Sequence, residues 1–176
     1  MLQSALKPKK RLRKRRTTPR AKLIENLKTV THLIVKVKAN FICVKCNKQY
    51  KLGDLGITAS HFWNSTKWKT KFVFDNIDCM CWGCHNQIEH NKQGWYMQYK
   101  LRQLGQKRYN ELEQMAYKIA DWQDYELQDM LKLYIMKLLR FNRPDIKYEN
   151  GTLSTFRKGE WKKVFHNESS QDEERV

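Results

Sequence analysis

The chain has 176 residues, 40% hydrophobic and 12% aromatic, with 35 Lys and Arg against 18 Asp and Glu for a formal net charge of +17. This length suits one domain of ordinary size with some tail left over. No run of 18 apolar residues is present, which excludes a transmembrane helix. The basic N-terminus is not followed by the apolar segment of a secretory signal. The expected location is therefore cytoplasmic (the host-cell cytoplasm if the chain is phage-encoded), where five cysteines read as metal ligands or free thiols rather than disulfides.

Residues 1–21 read as a disordered basic arm. Lys9, Lys10, Arg11, Arg13, Lys14, Arg15, Arg16 and Arg20 form a block of like charge, and Pro8 and Pro19 interrupt any helix. Such a block suits a polyanion, because neutralising phosphates releases condensed counterions. A domain is expected over 22–141. It opens with a helix from Ala21, on which Leu23, Leu27, Val30 and Ile34 recur at helical spacing. Residues 33–37 also suit a strand, which leaves the helix end open. Two short strands are expected at 58–63 and 71–74 around a polar turn, with 75–84 irregular and a helix starting near Cys84 or His85. A helix from Trp95 should close at Gly105, and another should cover 107–120. Asp121 or Asp124 is the expected cap of the last long helix. Its stripe of Leu127, Met130, Leu131, Tyr134, Ile135, Leu138 and Leu139 should pack on the chain's own core and stop before Arg143-Pro144. Residues 142–166 read as a basic, aromatic extension with a hairpin at Asn150-Gly151, serving either as nucleic-acid surface or as a packing element. Residues 167–176 form an acidic tail.

Cys43-Val-Lys-Cys46 and Cys81-Trp-Gly-Cys84 are two C-x2-C pairs. The two-residue gap lets both thiolates of a pair point at one ion, and two pairs complete a closed tetrahedral zinc site. Cys79 cannot easily share that tetrahedron and reads as a free thiol. Zinc alone does not decide function, since four-cysteine sites brace binding modules and enzymes alike.

Between and after the pairs stand His61, Asn76, His85 and Glu89. A helix starting at His85 would put His85 and Glu89 on one face, able to share an ion, with His61 approaching from a strand end. Phosphodiester hydrolysis needs such a set: a base to activate water and a cation to neutralise charge on phosphate and leaving oxygen.

The order Cys-x2-Cys, His, Asn, Cys-x2-Cys-His resembles the HNH endonucleases. More narrowly it resembles the phage NinG/Rap recombination nucleases, through Cys43-Val-Lys-Cys46, Ala59-Ser60-His61-Phe62, Phe74-Asp75-Asn76-Ile77, Cys81-Trp-Gly-Cys84 and His90-Asn91. The likeness covers about residues 22–140. It implies an α+β, mainly helical fold around a zinc-braced ββα-metal, treble-clef-like core. It further implies an endonuclease acting on branched DNA or recombination intermediates, such as Holliday junctions or D-loops. In that likeness His61 is the general base, Asn76 ties the loop and orients the base, and His85 and Glu89 are ligands of a catalytic Mg2+ or Mn2+, beside a structural Zn2+. Lys71 and Lys92 are the candidate cations near the phosphate. Two departures matter: the positions of the family's usual acidic ligands hold Ser60 and Thr58, and the position two residues after the asparagine, where the family usually has a histidine, holds Asp78. Asp78, or Asp75, would supply the missing carboxylate. Symmetric cutting of a junction implies two sites and hence a homodimer. The competing expectation is a non-catalytic, zinc-containing nucleic-acid-binding protein.

Overall fold

The computed structural model describes residues 18–90 and 94–167, the side chains of 89 and 90 excepted. Within these residues the fold is α+β, with four helices and two small antiparallel sheets. No helix among them is long and apolar enough to cross a membrane.

Helix α1 (Pro19–Lys38) starts where Thr18 accepts the Ala21 N–H at 3.2 Å and Pro19 supplies the pre-set φ of the first turn. The β-branched stretch that suits a strand is helical to its end. Leu33, Ile34, Val35 and Val37 are all buried there, so tertiary packing overrides local preference. Asn40 and Phe41, at φ of 50° and 58°, turn the chain out of the helix. A tight loop carrying Cys43 and Cys46 follows, closed by an Ile42–Gln49 bridge.

Strand β1 (Ile57–His61) pairs antiparallel with β2 (Ile77–Cys81), Ser60 opposite Asp78 and His61 opposite Ile77. The second strand thus lies C-terminal to the expected 71–74. Residues 68–76 instead make two short 3-10 turns, and the stretch expected to be irregular is a strand buried at all five positions. Helix α2 (Trp82–His90) follows β2 without a linker, beginning slightly before the expected start.

Helix α3 (Trp95–Tyr117) breaks at Gly105, whose φ of 74° and ψ of 162° belong to a region reached essentially by glycine alone. The bend lets both halves wrap Phe62, whose ring meets Tyr96 edge-on at 5.1 Å and Tyr109 at 5.7 Å. Helix α4 (Asp124–Leu139) is capped by neither expected aspartate. Gln123 is the cap, in a reciprocal box with Glu126, whose carboxylate accepts the Gln123 N–H at 2.8 Å. Leu127, Leu131, Ile135 and Leu138 of α4 are buried in one core with Leu27, Val30 and Ile34 of α1. Each such side chain stabilises the fold by about 1.5–3 kcal/mol.

The last segment is a three-stranded meander: β3 (Ile146–Glu149), β4 (Thr152–Arg157) and β5 (Glu160–His166). The expected turn at Asn150-Gly151 is present, and a second follows at Lys158-Gly159, both with positive φ at their two residues. Ile146, Leu153 and Phe165 join the same buried core, so this segment packs on the helices.

Candidate functional site

Cys43, Cys46, Cys81 and Cys84 converge, with all four Sγ atoms within 4.8 Å of one another. Bonds of about 2.3 Å from a tetrahedral zinc place sulfurs about 3.8 Å apart, and Cys46 Sγ lies 3.8 Å from Cys81 Sγ. These residues can hold a metal such as zinc. Burial works against ionising the Cys81 thiol, but the Cys84 N–H and the neighbouring thiols overcome it and hold Cys81 at about 6. Burial and the same neighbours drive the Cys84 thiol upward. A bound cation would favour all four thiolates. Cys79 stands apart: it is buried against α1, and desolvation raises its thiol to about 12.

His61 ends β1, next to a long loop that returns to β2. Its Nε2 lies 2.9 Å from the Lys71 carbonyl oxygen. A carbonyl only accepts, so Nε2 carries the hydrogen and the lone pair of the neutral ring sits on Nδ1. Burial lowers the His61 pKa below its usual 6.5 and outweighs the carbonyl, with Lys71, Lys28 and His85 acting in the same direction as burial. At neutral pH His61 is therefore an unprotonated base.

The loop that holds Lys71 is itself tied by Asn76, which is fully buried. Its Oδ1 accepts the Trp63 N–H at 2.7 Å, and its Nδ2 donates to the Trp63 and Thr70 carbonyls at 2.9 and 3.1 Å. One side chain thus ties Trp63 to Thr70, the residue just before the carbonyl that orients His61. Lys71 supplies that carbonyl from its backbone, while its ammonium lies over the Trp68 ring at 4.0 Å.

Ser60 Oγ lies 2.8 Å from Nδ1 of His85, in the first turn of α2. Asp78, cross-strand from Ser60, is held in a buried network. Tyr96 donates to its Oδ2 at 2.7 Å, Lys100 Nζ pairs with the same oxygen at 2.6 Å, and Gln103 reaches Oδ1 at 3.5 Å. Lys100 is wholly buried, and burial lowers its pKa against the pull of Asp78. The Tyr96 hydroxyl also lies 3.1 Å from the Ser60 carbonyl and shares its one hydrogen between the two acceptors, linking this network to β1. Asp75 is engaged as well, accepting Arg108 Nε at 2.7 Å.

Among the residues expected to contact nucleic acid, Arg20 braces α1 against α4 through an ion pair with Asp124 and a 2.6 Å bond to the Trp122 carbonyl. Lys9, Lys10, Arg11, Arg13, Lys14, Arg15, Arg16, Lys92 and the side chain of Glu89 lie outside the described residues. No family model, curated protein or solved structure matches the chain.

Sequence reasoning missed one residue. His32 of α1 places its ring 5.5 Å from that of His61. Its Nε2 is buried without a hydrogen-bond partner. Desolvation first, then the charges of His61, Lys36, Lys28 and Lys71, lower its pKa to about 3. Its position, one residue after Thr31 and two before Ile34 on an apolar helix, reads as ordinary core.

Proposed function

We propose that this protein is a metal-dependent endonuclease that hydrolyses phosphodiester bonds in DNA, with branched or recombination intermediates as substrates. The observation that carries this reading is the setting of His61: a neutral base whose Nε2–H is locked on the Lys71 carbonyl in a loop clamped by Asn76. His61 Nδ1 takes a proton from water as the water oxygen bonds to phosphorus and the bond to the leaving deoxyribose oxygen breaks. His85 and Glu89 are the residues that would hold Mg2+ or Mn2+, which supplies charge neutralisation at the phosphate when bound. The four cysteines would hold a structural Zn2+ that braces the hairpin and the start of α2. Positive charge in both arm and body supplies the grip on DNA.

A second reading, a non-catalytic zinc-containing nucleic-acid-binding protein, is favoured by two observations. Among the described residues only the four cysteines gather three or more metal-type ligands, and Asp78 is engaged by Tyr96 and Lys100. A panel of linear duplex, single strand, flap, D-loop and four-way junction, each with Mg2+, Mn2+ or chelator, separates the two. The nuclease reading expects divalent-dependent cleavage that disappears in His61→Ala while DNA binding survives. Equal cleavage by that variant would remove His61 as the base, and binding without cleavage under every condition would leave the second reading.

A further inference from the structure

Beside the histidine site the structure carries an aromatic recess that the hydrolytic reading does not use. Trp68 and Phe72 from the hairpin loop, Met115 from α3, Trp122 ahead of α4, and Met130 and Tyr134 on α4 enclose a cavity of about 170 Å³. Its walls are fixed by their own polar ends. Trp122 Nε1 donates to the Trp68 carbonyl at 3.4 Å, and the Tyr134 hydroxyl donates to the Phe72 carbonyl at 2.9 Å. With those polar atoms satisfied, flat apolar faces are left lining the recess. An apolar cavity of about 150 Å³ admits benzene, so this one has room for a six-membered aromatic ring.

Charge selects the occupant. Lys67, Lys69 and Lys71 alternate with Trp68 and Thr70 along the rim, and residues 55–74 contain no acidic side chain. Lys69, itself part of the lining, holds its Nζ 4.4 Å over the Trp122 ring, and Lys71 Nζ lies 4.0 Å over Trp68, so each indole has an ammonium group beside it. On the α4 side Asp124 is paired with Arg20 and Glu126 caps Gln123. Aromatic faces ringed by lysines are the means by which proteins hold unpaired bases while gripping the adjoining phosphates. The same loop presents the Lys71 carbonyl to His61, so a base seated here would leave its neighbouring phosphate beside the histidine.

We propose that this recess takes one unstacked base of a DNA strand, making DNA with unpaired bases the substrate class. The proposal rests on the nuclease reading for its purpose but not for its test. Oligonucleotides with 2-aminopurine in a single strand, in a flap and in fully paired duplex are titrated with the full chain carrying His61→Ala, with no Mg2+ or Mn2+ added and no chelator. Fluorescence should be quenched only for the unpaired positions, with tighter binding than to the duplex. Trp122→Ala and the more exposed Trp68→Ala should each weaken that binding by about ten-fold, while Trp122→Phe, which keeps an aromatic face, should retain most of it. A folded Trp68→Ala or Trp122→Ala chain with the wild-type preference for unpaired DNA would overturn the proposal. So would a loss of self-association in place of a loss of quenching, which would assign the recess to protein contact. Quenching by a chain that cleaves nothing under any metal condition would uphold the recess and remove only the nuclease reading.

Discussion

His32 makes stability depend on pH in a direction that can be worked out in advance. Its pKa falls from 6.5 to about 3 on folding, so the unfolded chain binds a proton between those values and the folded chain does not. Stability is therefore complete above pH 6.5 and is lost as pH falls toward 3, by about 1.4 kcal/mol per pH unit. From pH 7 to pH 5 the loss is about 2 kcal/mol. Lys28, Lys36, Lys71 and His61 all act on His32 and all oppose its protonation, so none of the four reverses the sign. His32→Leu removes both the titration and a buried nitrogen without a partner, an atom of a kind that costs about 1–3 kcal/mol. The variant should be at least as stable as wild type at pH 7 and should gain about 2 kcal/mol relative to it by pH 5. Urea unfolding of both proteins at pH 7, 6 and 5 measures this, and the thiols common to both cancel in the difference. Parallel pH profiles would refute the reasoning.

Withdrawing metal should act on the hairpin and α2 together, because Cys81 ends the one and Cys84 lies in the first turn of the other. Elemental analysis should find one zinc per chain, and a strong chelator, or Cys81→Ser, should lower the melting temperature with exchange protection lost first around residues 41–56 and 77–88. Asp78→Asn leaves the wholly buried Lys100 without its counter-charge and should cost about 3–5 kcal/mol. The double change Asp78→Asn with Lys100→Met should recover a large part of that, and a double-mutant cycle reads the coupling directly.

What the sequence discloses depends on whether the signal is local. The C-x2-C spacing is a property of short loops, and the four sulfurs meet as expected. Gly105 and Asn150-Gly151 announce themselves because few other residues reach those backbone angles. Strand β2 left no such trace. With both faces buried it shows no alternation, and its polar member Asp78 is accommodated by Tyr96, Lys100 and Gln103 of α3. Gln123 escaped notice as a cap because glutamine is an unusual one and its partner Glu126 does half of the bonding. The site divides the same way. Asn76 and His61 were legible through order and spacing, whereas His32 becomes visible only when α1 is laid against the hairpin.

The adjacency of Cys84 and His85 gives the four sulfurs a reach beyond bracing. Cys84 fixes the register of the first turn of α2, and the next residue meets Ser60 Oγ at 2.8 Å. A helix whose opening turn is pinned can rotate little, so a metal on the four sulfurs would also set the azimuth of His85. Cys46, the one exposed member of the four, is where that cluster is open to solvent and to competing ligands. A metal held there would steady the angle at which His85 faces the hairpin.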